Sequence, residues 1–152
     1  KLLWSRQAFL SRPKQNEPWL ASAVELQKPI VAVIHKRWIP KHQLSFTGFS
    51  RGACLALEYV ARNAAKYRGV AAFTGSVIGD KIYTENYAGD FGGTPVFIGS
   101  SNPDFHVPVE RVNATANLLK NIGAEVTEKI YNNMAHTINQ DEITTVNNII
   151  FK

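Results

Sequence analysis

The chain has 152 residues, of which 45% are apolar, 11% aromatic and 19% charged, and 17 Lys+Arg against 12 Asp+Glu give a net charge of +5. That balance excludes intrinsic disorder, and 10 Gly without a period exclude a collagen-like repeat. The longest apolar runs, Pro29 to Ile34 and Val70 to Phe73, fall far short of the roughly 18 residues of a membrane span, and a single cysteine, Cys54, excludes an internal disulfide.

In chain order, Ser11 to Pro18 reads as the linker-like segment near the start. Asn16 as a cap, Pro18 in the first turn, and Trp19, Leu20, Ala23, Val24, Val31 and Ile34 predict a helix running to about Arg37, with Pro29 as its weak point. Leu44 to Phe49 predicts a strand, and a helix follows from about Arg51 to Ala65. Gly69 to Thr74 and Thr94 to Gly99 are continuous apolar runs, the pattern of strands buried on both faces. Val112, Ala116, Leu118 and Leu119 predict a helix over Val109 to Ile122, stopped by Gly123. Ala124 to Tyr131 alternates as a fourth strand, and Asn139 with Glu142 three residues on predicts a capping box opening a last helix, Gln140 to Ile150.

One helix followed by four strand-and-helix units is the expected sum. Strands separated by a dozen or more residues require crossovers, so the strands pair in parallel and helices cover the sheet. The fold class is therefore α/β, in a single domain over residues 1–152. In such sheets the working site lies beyond the carboxyl ends of the strands, which directs attention to the loops after Phe49, Thr74, Gly99 and Tyr131.

After the first strand stands Gly48-Phe49-Ser50-Arg51-Gly52, a G-x-S-x-G pattern between a strand and a helix. Glycines on either side would let the chain turn sharply and project the Ser50 hydroxyl clear of the sheet. A plain helix cap is the alternative role for Ser50. A serine nucleophile needs a base and a carboxylate to orient that base. Asp104 follows the third strand and His136 the fourth, giving the chain order Ser50, Asp104, His136. Asp90 is the competing acid, but it precedes its strand. His106 is the competing base, only two residues from Asp104, while His35 and His42 lie on the amino side of the first strand. No His pair has metal-ligand spacing, so no metal site is expected.

The segments QNEPWL, GFSRGACLALEYVARN, TPVFIGSSNPDFHVPVERV and NMAHTINQDEI resemble the phospholipase/carboxylesterase family of α/β-hydrolases, which includes acyl-protein thioesterases. The resemblance runs from about Gln15 to Ile143. It implies an α/β-hydrolase-type sheet and a serine esterase with Ser50, Asp104 and His136 as catalytic residues. It further implies an oxyanion donor in the Arg51 backbone N–H, and no cofactor. Phe105, Met134, Val77 and Ile78, near the strand ends, are candidate lining for an acyl chain, with core packing as the alternative. Ester against thioester, or a peptidase of the same superfamily, stays open.

Two departures accompany the resemblance. Arg51 stands where the family commonly has Gln, and Asn133-Met134-Ala135-His136 replaces Gly-Met-Gly-His. Nothing before Ser50 resembles the family's His-Gly-x-Gly-like segment, which supplies a second oxyanion donor worth about 100 to 1,000-fold in rate. Four strands alone would leave Leu44 to Phe49 as a bare edge. The expectation is a C-terminal portion of the full fold, lacking N-terminal strands in about 50 residues or more, or a homo-oligomer that covers the edge. A non-catalytic binding or assembly module is the rival function. The expected partner is a small ester or acyl substrate. Nucleic acid is not expected, because the cations are scattered, and neither is stable membrane insertion. KLLWSRQAFL lacks the form of a signal peptide, and the cytoplasm is the expected location.

Overall fold

A computed structural model describes residues 39–152; the helix expected over Asn16 to Arg37 lies outside them. Four strands, β1 (Ser45–Phe49), β2 (Gly69–Phe73), β3 (Pro95–Asn102) and β4 (Glu125–Asn132), form one sheet in the order β1-β2-β3-β4. Every pair is parallel, as with Phe49 opposite Phe73, Phe73 opposite Gly99 and Asn102 opposite Asn132. Three helices accompany them, α1 (Arg51–Arg62), α2 (Val109–Asn121) and α3 (Gln140–Ile149).

Residue types account for these elements. On α1, Ala53, Leu57, Val60 and Ala61 recur at helical spacing and are fully buried. With Val112, Ala116 and Leu119 of α2 they pack on Val70, Ala72, Val96 and Ile98, which point from one face of β2 and β3. The other face carries Ala71, Phe73 and Phe97, closed by Val146 and Ile150 from the α3 end of the chain. Both central strands are thus buried on two sides, the physical basis of their unbroken apolarity.

The expected ends shift by a few residues. β3 continues three residues beyond Gly99, and α1 stops at Arg62 rather than Ala65. There Asn63 sends both its backbone N–H and its side-chain amide to the Tyr59 carbonyl, and Tyr67 Oη donates to the Asn63 carbonyl at 2.6 Å. One expected unit is corrected. Between β2 and β3 the connection is a loop with only a 3₁₀ turn, Thr84–Asn86, because Gly79, Gly89, Gly92 and Gly93 all sit at positive φ, which a helix cannot accommodate.

That loop is held by polar groups instead. The buried Glu58 carboxylate accepts from Ile78 N–H at 2.9 Å, Tyr87 Oη at 3.0 Å and Arg62 Nε at 2.5 Å. Arg111 donates to the carbonyls of Val77 and Gly79, and Thr115 Oγ1 accepts from Val77 N–H. β1 pairs only with β2 among the described residues, so its far edge has no strand beside it there. No helix of the described residues is long and apolar enough to cross a membrane.

Candidate active site

At the carboxyl edge of the sheet three strands end in a residue whose backbone leaves the ordinary regions: Ser50 after β1 at φ 56°, Thr74 after β2 at φ 55° and Asn133 after β4 at φ 55°. Such positions cost on the order of 1 to 3 kcal/mol each for non-glycine residues and persist only where surrounding contacts enforce them. For Ser50 the enforcement is visible. Its N–H donates to Phe73 O at 2.8 Å, prolonging the sheet, while its carbonyl already accepts Cys54 N–H at 3.0 Å as the first bond of α1. The chain therefore turns from strand to helix within one residue.

Close packing under this turn depends on Gly48. A Cβ there would stand 2.5 Å from Ala53 N and closer still to the Gly52 carbonyl group, all of it backbone. Gly52 differs from expectation, since a Cβ on it meets nothing within 4 Å among the described residues. The second close approach comes from Gly75, after β2, where a Cβ would lie 2.5 Å from the Ala53 Cβ. Sequence pattern had not singled out Gly75, and no local signal marks it, because its neighbour is distant in the chain.

The tertiary structure brings Ser50, Asp104 and His136 together. His136 Nε2 is 2.9 Å from Ser50 Oγ, and His136 Nδ1 is 2.8 Å from Asp104 Oδ2. The Asp104 side chain is fully buried, and its other oxygen accepts the N–H groups of His106 at 2.6 Å and Val107 at 2.8 Å. Burial pushes the Asp104 carboxyl up, but the His136 hydrogen bond and the Val107 and His106 N–H groups outweigh it and hold it below its ordinary value. It stays ionised at neutral pH.

The His136 ring meets His106 edge-on, with centroids 4.6 Å apart, and a tilted Phe49 ring at 5.1 Å. His106, the competing base, thus touches the His136 ring and gives its backbone N–H to Asp104. Asp90, the competing acid, accepts Gly92 N–H at 2.7 Å in the loop before β3, and His42 lies in a turn before β1, both at the amino edge. His35 is outside the described residues. Arg51 opens α1 beside Ser50, at the positive end of that helix's dipole.

The lining candidates divide. Phe105 is 71% exposed beside Asp104, and Phe49 and Ile138 are also exposed near their site residues. Met134 is half-buried, its carbonyl accepting from Ser101 Oγ and its sulfur from Asn139 Nδ2. Val77 is fully buried and Ile78 nearly so, with Val77 inside the main core. Glu58 and Arg111 bond the backbone of these two residues and hold their loop inward, which makes them packing residues rather than lining. Cys54, one turn into α1, is buried, and burial pushes its thiol up to about 11, far from a reactive thiolate.

The loop carrying His136 is pinned at its far end by the capping box of α3. Asn139 Oδ1 accepts Glu142 N–H at 2.9 Å, and Glu142 Oε2 accepts Asn139 N–H at 2.8 Å. Glu142 is fully buried, its Oε1 has no hydrogen-bond partner among the described residues, and it occupies the space that a Cβ on Gly99 would need. Burial, aided by the neighbouring Asp141 charge, raises its pKa despite the Asn139 bond. A raised carboxyl contributes stability below its unfolded value of about 4.3 and loses it as pH climbs through the folded value. Glu142→Gln, which keeps the Oε acceptor, is expected to remove that part of the fall in unfolding free energy as pH rises above about 4, read from urea midpoints. An unchanged pH slope would show that the carboxylate is not strained.

A profile of the phospholipase/carboxylesterase family matches residues 4–152. The structure is similar to that of a phospholipase/carboxylesterase from Dyadobacter fermentans DSM 18053, with 48% identity and a TM-score of 0.91, over 98% of this chain and 70% of that one. It is also similar in fold to Arabidopsis thaliana SOBER1, at 22% identity and TM-score 0.69 over 86% of this chain and 64% of that one. The carboxylesterase of Bacillus cereus aligns at 18% identity and TM-score 0.69, over 85% of this chain and 58% of that one. The chain thus spans between 58% and 70% of the length of these three proteins. Among curated proteins none matches.

Proposed function

Because the chain belongs to the phospholipase/carboxylesterase family of α/β-hydrolases, we propose that it hydrolyses carboxylic esters through an acyl-enzyme on Ser50. The observation that carries this reading is the single imidazole of His136 bridging a serine hydroxyl at 2.9 Å and a buried carboxylate at 2.8 Å. A free serine hydroxyl is a weak nucleophile at neutral pH, and this arrangement supplies what it lacks.

Ser50 Oγ attacks the acyl carbonyl as His136 Nε2 takes its proton. Asp104 keeps Nδ1 protonated and stabilises the imidazolium, without itself taking the proton. Charge develops on the carbonyl oxygen, where the Arg51 backbone N–H and the positive end of α1 oppose it. His136 then returns the proton to the leaving alcohol, and water repeats the sequence to free the acid. The exposed Phe105 ring and the Met134 side chain offer apolar contact to the acyl group, and the reaction needs no cofactor. Thioesters fit the same chemistry.

A second reading, a cleft that binds without turnover, draws on the lack of a His-Gly-x-Gly-like segment before Ser50. A fluorophosphonate probe separates the two. Attack by Ser50 Oγ on phosphorus expels fluoride and leaves a phosphonyl adduct, which only an activated serine forms readily. The expected result is one adduct per chain on the Ser50 peptide by mass spectrometry, with labelling slowed about 100-fold or more in His136→Ala. A folded chain that takes up no probe would favour binding without catalysis.

A further inference from the structure

The sheet has a second concavity, at the end opposite Ser50. The 3₁₀ turn Lys41–Gln43 leads into β1, the segment 65–68 leads into β2, and Pro95 opens β3. Together Lys41, His42, Ala65, Lys66, Tyr67, Arg68 and Pro95 line a cavity of about 590 Å³. This size lies within the range of small-molecule sites, roughly 300 to 1,000 Å³. β2 alone, with five residues, separates the two ends by about 17 Å, so this concavity is no part of the Ser50 site.

Its chemistry is one-signed. Lys41, Lys66 and Arg68 are cationic, His42 adds a fourth nitrogen donor, and all four side chains are exposed. Among the described residues none of the four forms an ion pair. Among the described residues no carboxylate belongs to the lining, and Glu125, opposite Pro95 in register, lies against Gly93 instead. Elsewhere among the described residues Arg62 is matched by Glu58 and Lys129 by Asp141. Like charges gathered in a concavity raise the local potential and concentrate anions.

The walls are preformed. Arg68 N–H donates to Leu44 O at 2.9 Å, tying the two entering segments together, and Tyr67 N–H donates to Thr94 Oγ1 at 2.9 Å. The buried Tyr67 ring packs edge-on against Phe46 at 5.2 Å and near Phe91 at 6.3 Å, so the backbone under the concavity is fixed. A ligand therefore meets little ordering cost in the backbone.

We propose that this concavity binds a phosphorylated small molecule, with the phosphate dianion among Lys41, His42, Lys66 and Arg68 and an apolar portion over Ala65 and Pro95. A carboxylate monoanion would leave two cations uncompensated, whereas a phosphomonoester carries nearly two charges at neutral pH and three acceptor oxygens. Arg68 can meet two of those oxygens with its planar fork, and the lysines act as point charges.

Phenyl phosphate is the probe, titrated into the full chain by calorimetry at 50 and 300 mM NaCl, beside benzoate and inorganic phosphate. Binding is expected to weaken roughly tenfold in Lys66→Ala and in Arg68→Ala. Lys81→Ala, which removes one charge at the carboxyl edge, should change it less than about twofold. Benzoate should bind at least about tenfold more weakly, and higher salt should weaken phenyl phosphate. Inorganic phosphate binding as tightly as phenyl phosphate would keep the site and assign it to the free anion. Equal losses in all three variants, or no saturable binding, would overturn the proposal. Capture by anionic phosphatidylserine vesicles without affinity for phenyl phosphate would overturn it too, in favour of a surface role.

Discussion

Replacing Ser50 by Ala is expected to lower kcat for p-nitrophenyl acetate and butyrate by about 10⁴-fold or more, leaving KM and the thermal midpoint near those of the unaltered chain. The effect is large because Ser50 Oγ is the atom that would bond to the acyl carbon, and His136 cannot substitute for it from the far side of that hydroxyl. The fold should survive for a specific reason. Position 50 holds φ 56°, and Ser and Ala both carry a Cβ, so both bear about the same strain of 1 to 3 kcal/mol there. Only the hydrogen bond to His136 is lost, at a site where the imidazole is still held by Asp104, His106 and Phe49. Activity kept within about tenfold in Ser50→Ala would sink the serine mechanism. An unaltered chain that is folded yet hydrolyses neither ester would point to binding without turnover, or to a donor supplied from outside these residues.

Gly48→Ala is expected to destabilise the chain by about 3 kcal/mol or more, seen as a lowered urea midpoint or failure to accumulate as folded protein. The added methyl would meet the backbone of Gly52 and Ala53, 2.5 Å from the Ala53 nitrogen, and backbone cannot swing aside as a long side chain can. Relief requires α1 to lift from β1, which would open the contact of Leu57 and Ala53 with the sheet and move Ser50 away from His136. Gly52→Ala is the matched control. Its methyl faces open space, and alanine in a helix is favoured over glycine by about 1 kcal/mol, so this variant should be neutral or more stable. Equal behaviour of the two variants would show that the close approach under Ser50 is not what demands glycine.

The same pair shows where pattern reading stops. In Gly48-x-Ser50-x-Gly52 both glycines look equivalent along the chain, and only the packing of α1 against β1 makes one of them obligatory. Gly75 carries the role that Gly52 does not, because it approaches Ala53 from β2, and nothing within a few residues of it announces that neighbour. Val77 and Ile78 followed the same logic in reverse. Their position after a strand end suggested lining, yet Glu58 and Arg111 fold their loop inward and bury them. The helix expected after β2 fails on local grounds, since Gly79, Gly89, Gly92 and Gly93 interrupt that stretch and the structure holds all four at positive φ.

Composition, periodicity and chain order were sufficient for the class of the protein. Parallel pairing follows from strands too far apart for hairpins, double burial of β2 and β3 from their unbroken apolar runs, and the α3 start from Asn139 and Glu142. The order Ser50, Asp104, His136 at the ends of the first, third and fourth strands was also readable, because the carboxyl edge of a parallel sheet gathers those loops whatever their content. Tertiary structure added the physical reason for His136 over His106: its ring lies between Ser50 Oγ and Asp104 Oδ2. His106 and His136 carry the same ring, and it is the parallel pairing of β3 with β4 that brings the loop of His136 beside Asp104, while His106 gives Asp104 its backbone N–H. Tertiary structure alone gathered Lys41, His42, Lys66 and Arg68, scattered over 28 positions of sequence, into one concavity, because three parallel strands begin at one edge and bring their entering loops together there.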